Sequence, residues 1–161
     1  MSQVGQFPEA AYHFVREGLS YAVRQVHGAE HPAQHVVMSF LAKRKLNLEQ
    51  LHQLHQADEL PRRVARAIER CGGFEKLNRH VGGPELCWGL RDYALHRWGQ
   101  LATLVLGTWN IHHTLDFGRL VFAMIDHDLM QKQPTDRLED FDRVYDFTEA
   151  FDQHYHIDLN R

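Results

Sequence analysis

Four arginines, Arg62, Arg63, Arg66 and Arg70, fall close together in this chain. At about 100° per residue they project within roughly one quadrant of a helix, opposite Val64, Ala65 and Ile68. Guanidinium groups keep their charge and offer forked N–H donors, so such a row suits phosphate or carboxylate oxygens. Lys43, Arg44 and Lys45 lie close by. Residues 43–80 hold nine Lys or Arg against five Asp or Glu, whereas residues 114–161 hold five against eleven. Read functionally, the stripe is a binding face for phosphates or an acidic partner. Read blandly, it is a solvated helix face, or it pairs with the chain's own acidic C-terminal third.

Thirteen histidines are the compositional oddity. Metal sites on helices need ligands one turn apart. Glu49 and His52 form a Glu-x-x-His with His55 a turn further on, His31 and His35 are four apart, and His112 and His113 are adjacent. A carboxylate-bridged dimetal centre takes two Glu-x-x-His pairs and two further glutamates. This chain has one such pair and neither a His-Glu-x-x-His nor a Cys-x-x-Cys. Glu49, His52 and His55 are therefore a partial metal-ligand set, and no cofactor is expected. Nucleophile chemistry is equally short of material. The three serines lie outside any Gly-x-Ser-x-Gly, and Cys71 and Cys87 sit on apolar faces, where a thiol is inert. Neither a phosphate-binding P-loop nor a dinucleotide glycine fingerprint occurs.

Arg91 falls inside the apolar arc of its helix, between Cys87, Ala94 and Leu95. A guanidinium there must meet acceptors, because an unpaired buried charge costs several kcal/mol, on the order of 3 or more. The expected partner is a carboxylate of the C-terminal third (Asp116, Asp140, Asp142 or Asp146), in a structural ion pair locking that tail onto the core. The functional alternative is an anion site in a cleft. On the ion-pair reading, Arg91→Met destabilises the fold.

These residues must be held by helices. Apolar positions recur at helical spacing through Phe14, Val15, Leu19, Ala22, Val23 and Val26, between Pro8 and a stop at Gly28. Pro32 opens a second stripe (Ala33, Val36, Val37, Phe40, Leu41), and Asn47 with Gln50 reads as a capping box. Pro61 begins the arginine-bearing helix, which ends at Gly72-Gly73, with a further short helical turn over Phe74–Leu77. The stretch from His80 to Met130 holds all three tryptophans and reads as three helices in quick succession. The first follows Gly83-Pro84, the second spans Gln100 to Asn110 with Leu101, Leu104, Val105 and Trp109 as its core-facing positions, and the third is capped by Thr114. After Met130, the turn around Pro134 suggests a hairpin of short strands near Leu129–Gln133 and Arg143–Phe147, then a helix from Glu149 to Tyr155. Three helices and a hairpin have the outline of a winged helix. Its recognition helix and wing are too acidic to accept a duplex. Phe141, Tyr145, Phe147, Phe151 and Tyr155 are expected to pack the tail over the core, with Trp88 among their contacts.

The chain resembles an uncharacterised conserved bacterial family of planctomycete and verrucomicrobial type. The resemblance rests on Ala11-Tyr-His-Phe-Val-Arg-Glu-Gly-Leu, His80-Val-Gly-Gly-Pro-Glu-Leu-Cys, Gly89-Leu-Arg-Asp-Tyr-Ala-Leu, Asp116-Phe-Gly-Arg-Leu-Val-Phe and Asp140-Phe-Asp-Arg-Val-Tyr-Asp-Phe. It covers residues 10–28 and 80–151, and it implies that 29–79 is an insertion relative to shorter members. It implies no activity.

With 161 residues, 43% hydrophobic and 24% charged, the chain has the composition of a soluble globular domain. The net charge of −3 creates no global field for nucleic acid, and no apolar run approaches the roughly 18 residues of a membrane span. There is no secretory signal pattern at Met1, and two cysteines suit a reducing cytoplasm. The expectation is one mainly α, compact helical domain over 1–161. It comprises a helical insertion with a basic face (29–79), a central three-helix core (80–130) and an acidic tail packed on that core (131–161). Its expected role is a non-enzymatic interaction module, binding protein through Arg62, Arg63, Arg66 and Arg70 or through the tail. The alternatives are a nucleic-acid or ribosome-associated factor using the basic stripe, and a metal-dependent helical enzyme. Self-association through basic and acidic faces is a further option.

Overall fold

The computed structural model describes residues 7–130 and 136–153, and it is mainly helical. Among the described residues seven α-helices run in order: α1 (Glu9–His27), α2 (Gln34–Arg44), α3 (Leu48–Gln56), α4 (Arg62–Arg70), α5 (Gly83–Trp98), α6 (Ala102–Thr108) and α7 (Thr114–Asp126). Tight 3-10 turns cover Phe74–Leu77, Gly99–Leu101 and Leu138–Phe141, and a π-helical turn covers Thr148–Gln153. Among the described residues no helix is long and apolar enough to cross a membrane. The contacts group residues 27–80 into one unit, and residues 1–26 with 81–161 into another.

Within the second unit, α1 buries Ala11, Phe14, Val15, Gly18 and Ala22, one stripe at three- and four-residue spacing. It starts after Pro8 with Glu9 in the first turn, where negative charge suits the helix dipole, and Gly28 (φ 79°) follows it. Helix α5 lies so close to α1 that an added Cβ on Gly89 would sit 2.4 Å from the Ala22 Cβ. A polar latch closes the same crossing. The Tyr93 hydroxyl donates to Glu17 Oε2 at 2.5 Å, and Arg97 Nη1 donates to the same oxygen at 3.0 Å. The Phe14 ring anchors the core, with the rings of Tyr93, Trp98, Trp109 and Phe117 between 5.3 and 6.4 Å away.

Two readings of the central block need correction. Leu101 and Leu104, expected on the buried side of their helix, are 59% and 65% exposed, whereas Trp88, 39% exposed, keeps its expected contact with the tail aromatics at Tyr145. The 3-10 turn at Gly99–Leu101 winds the chain more tightly than an α-helix does. That rotation turns Ala102 and Leu106 inward in place of the two leucines. Thr114 is also not the cap of α7. His113 holds that position, and Asp116 Oδ2 accepts the N–H groups of His112 (2.9 Å) and His113 (3.1 Å). The Thr114 hydroxyl instead donates to the Phe141 carbonyl at 2.6 Å and accepts from the Val144 N–H at 3.2 Å.

That threonine docks the C-terminal segment on α7. Phe141, Ala150 and Phe151 are buried there, and the Tyr145 hydroxyl donates to the Cys87 carbonyl at 2.7 Å. Residues 143–147 form no strand. Arg143 takes φ 50°, and the Asp146 carboxylate turns back to accept the N–H groups of Thr148 (2.9 Å) and Glu149 (3.2 Å). Local capping thus replaces strand pairing and leaves the winged-helix outline without its second wing strand. The expected first strand lies largely outside the described residues, with Lys132 and Pro134; so do Met1–Gln6 and Tyr155.

In the unit of residues 27–80, α2, α3 and α4 enclose a core of Val37, Leu41, Leu51, Val64, Ala67, Ile68 and Leu77. The capping box at α3 forms as the sequence indicates: Asn47 N–H donates to Gln50 Oε1 (3.0 Å) and Gln50 N–H to Asn47 Oδ1 (2.8 Å). The two ends of the unit are stapled together. His27 Nε2 donates to the His80 carbonyl at 2.8 Å, and Arg79 Nη2 donates to the Gly28 carbonyl at 2.6 Å.

Candidate functional site

Helix α4 has the most sharply divided surface in the chain. Val64, Ala67 and Ile68 face inward, while Arg62, Arg63, Arg66, Glu69 and Arg70 are exposed. Pro61 supplies an extended entry to the helix, and Gly72 and Gly73 (φ 100° and 105°) end it. Burial of the inner face against α2 fixes the helix rotation, so the arginine row follows from the apolar pattern itself.

Three of the four arginines line a cleft of about 500 Å³: Arg63, Arg66 and Arg70, with Ala67 between them. The facing wall is His31, Pro32, Ala33 and Val36, from the entry and first turn of α2. Arg62 is exposed but does not line it. Lys43, Arg44 and Lys45 lie at the far end of α2, roughly 15 Å along the helix from Ala33. Arg44 is placed over the Phe40 ring, 5.5 Å from its centroid.

The cleft is electrostatically open. Among the described residues no carboxylate lies within ion-pair distance of Arg62, Arg63, Arg66 or Arg70. Like charges three, four and seven residues apart on one helix repel by a few tenths of a kcal/mol per pair, an order of magnitude that anion binding would reverse. On the opposite wall, His31 Nδ1 accepts the Ala33 N–H at 3.0 Å. This bond leaves Nε2 to carry the ring proton, so the neutral imidazole adds one N–H donor to the lining. The wall is otherwise apolar, and the cleft-lining residues include no Phe, Tyr or Trp.

The other sequence candidates are not brought together. His52 packs its ring 4.3 Å from Phe74, while Glu49 is exposed. Among the described residues no three His, Cys, Asp or Glu are grouped so as to hold a metal ion.

Arg91 has an ion-pair partner, but not one in the tail. Its Nη2 and Nε donate to Asp92 Oδ1 at 2.6 and 2.9 Å, and its guanidinium lies over Trp88, 4.7 Å from the ring centroid. Trp88 in turn lies against Tyr145, the ring centroids 4.7 Å apart and the planes tilted by 41°. The arginine therefore reaches the tail through aromatic faces rather than a carboxylate. Its side chain is 21% exposed and that of Asp92 is 44% exposed, so solvent weakens the pair. Arg91→Met should cost only about 1 kcal/mol in a denaturant titration, since methionine keeps the contact with Trp88. A loss on the order of 3 kcal/mol or more would instead mark a desolvated charge pair.

Neither cysteine is shifted toward its thiolate. Burial pushes the Cys87 thiol from 9.0 up to about 12, and Cys71 is raised by desolvation and by the negative charge of Glu30. The raised values carry a stability consequence. The unfolded chain releases the Cys87 proton near 9 while the folded chain retains it, so stability is full below that pH and falls as pH climbs toward 12. The buried Tyr145 phenol, also raised, adds in the same direction. Urea midpoints measured from about pH 8 to 10.5 should decline, and less steeply in Cys87→Ala; equal slopes would contradict this origin.

Comparison of the chain with protein-family models, with curated proteins and with solved structures returned no match.

Proposed function

We propose that the unit of residues 27–80 is a non-enzymatic binding module for an acidic segment of another protein, held in the cleft between α4 and the start of α2. One observation carries this reading: Arg63, Arg66 and Arg70 stand in a row along a cleft with no carboxylate partner among the described residues. Residues 27–80 hold nine Lys or Arg against six Asp or Glu, while the remainder of the chain holds nine against fifteen. The positive charge is therefore concentrated on the unit that carries the cleft.

Protein suits this surface better than nucleic acid. A single-stranded nucleic acid gains much of its affinity from bases stacked on aromatic rings, and the cleft has no Phe, Tyr or Trp. A duplex is held by many phosphate contacts, and a row of three arginines in a chain of net negative charge supplies few. The two unpaired cysteines fit a cytoplasmic setting for the module.

The test is fluorescence polarisation with a labelled decaglutamate and a labelled ten-nucleotide oligouridylate at the same ionic strength. Decaglutamate should bind, weaken as salt rises, and lose about tenfold or more in affinity with Arg66→Glu. Arg44→Glu makes the same charge change away from the cleft and should retain most of the binding. Tighter binding of the oligouridylate, abolished by Arg66→Glu, would transfer the site to nucleic acid. Binding of neither probe rejects the module.

A further inference from the structure

The two walls of the α4 cleft differ in kind, and that difference specifies what an occupant must look like. The α4 wall presents Arg63, Arg66 and Arg70, and the α2 wall presents Pro32, Ala33 and Val36, with His31 at its start. Along α4, Arg66 and Arg70 are four residues apart, a rise of about 6 Å, and Arg63 to Arg70 spans about 10.5 Å. An extended peptide places residues i and i+2 on one side, about 6.7 Å apart, and sends residue i+1 to the other side. The spacing of its alternate side chains thus approximates that of Arg66 and Arg70, while Arg63 and Arg66 lie about 4.5 Å apart along the axis. Its intervening side chains point at the opposite wall.

We infer that the cleft reads an extended segment in which acidic and apolar residues alternate, acidic side chains pairing with Arg63, Arg66 and Arg70 and apolar ones resting on Pro32 and Val36. A uniformly acidic strand would drive every second carboxylate against Pro32 and Val36, away from water and from any cation, which is unfavourable. Discrimination therefore comes from the apolar wall and affinity from the arginine wall. This inference rests on the binding-module reading above and deepens it.

Three labelled peptides of equal length separate the two ideas: Glu-Leu-Glu-Leu-Glu, the block isomer Glu-Glu-Glu-Leu-Leu, and Glu-Ser-Glu-Ser-Glu, each flanked by Gly-Ser and measured beside decaglutamate. The alternating Leu peptide should bind about tenfold tighter than either comparison peptide. Val36→Ser, checked for intact folding by circular dichroism, should erase that preference. Arg66→Glu should weaken all four probes. Equal affinities for the three peptides, with decaglutamate still bound through Arg66, would overturn the alternation inference and leave the module standing. Loss of every interaction, decaglutamate included, would overturn both.

Discussion

Phe141→Ala is expected to lower the unfolding free energy by about 3 to 5 kcal/mol, the range for deleting a fully packed aromatic side chain. Phe141 is buried, and it sits where α5 and α7 both lack side chains. An added Cβ on Gly118 would lie 2.7 Å from its ring Cγ, and one on Gly83 would lie 3.2 Å from its Cε2. Its carbonyl accepts the Thr114 hydroxyl, so ring and backbone together fasten the C-terminal segment. Denaturant unfolding gives the size of the loss, and near-ultraviolet circular dichroism should show the surrounding aromatic signal weaken. Gly118→Ala supplies the internal check. Alanine improves helix propensity by about 1 kcal/mol, yet in the wild type its methyl meets the Phe141 ring and the variant should lose stability. In a Phe141→Ala background the ring contact is gone while the residue-141 Cβ (2.8 Å) and Leu138 Cδ1 (3.0 Å) remain, so Gly118→Ala should cost less than in the wild type. A cost that is the same in both backgrounds would place the clash elsewhere.

The second large effect is expected at the α1–α5 crossing. Gly89→Ala should destabilise by about 1 to 3 kcal/mol in spite of its favourable propensity, because the new methyl lies 2.4 Å from the Ala22 Cβ and 3.1 Å from its Cα. Backbone, not a flexible side-chain tip, would have to give. Separating the helices would also lengthen the Tyr93–Glu17 and Arg97–Glu17 hydrogen bonds. Ala22→Gly removes one of the colliding carbons, so the double variant should recover at least half of the loss relative to the sum of the single changes. Simple additivity in this cycle would falsify the close-approach explanation.

Local features of this fold were legible in the residues because their causes act within about four positions of the chain. Asn47 and Gln50 cap each other, Gly99 ends α5 with φ 55°, and the α1 stripe of Phe14, Val15 and Ala22 is buried. Leu101 and Leu104 were misread because helical spacing was extended back into a 3-10 turn, where the angle per residue differs. Residues 143–147 looked like a strand from β-branched and aromatic content alone. A strand needs a partner, and here Asp146 makes a local cap instead. Thr114 is a favoured capping residue type by chemistry. Its hydroxyl was claimed by Phe141 and Val144, nearly thirty residues away in sequence, which no local pattern encodes.

The candidate site divides in the same way. That Arg63, Arg66 and Arg70 share an exposed face is a matter of helical periodicity, and the sequence alone determined it, as it determined the mainly helical class. That they look across a cleft at Pro32 and Val36, that Arg62 stands outside it, and that Lys43, Arg44 and Lys45 lie at the other end of α2 was decided only by tertiary packing. Arg91 follows the same rule. Its need for an acceptor is a property of the guanidinium, but the choice of Asp92 and Trp88 over the four carboxylates of the C-terminal third depended on where distant chain segments came to rest. Periodicity fixes directions around a helix axis. Distances between helices are set by which side chains can interpenetrate, and at the α1–α5 crossing Gly18 and Gly89 are what let the two helices approach so closely.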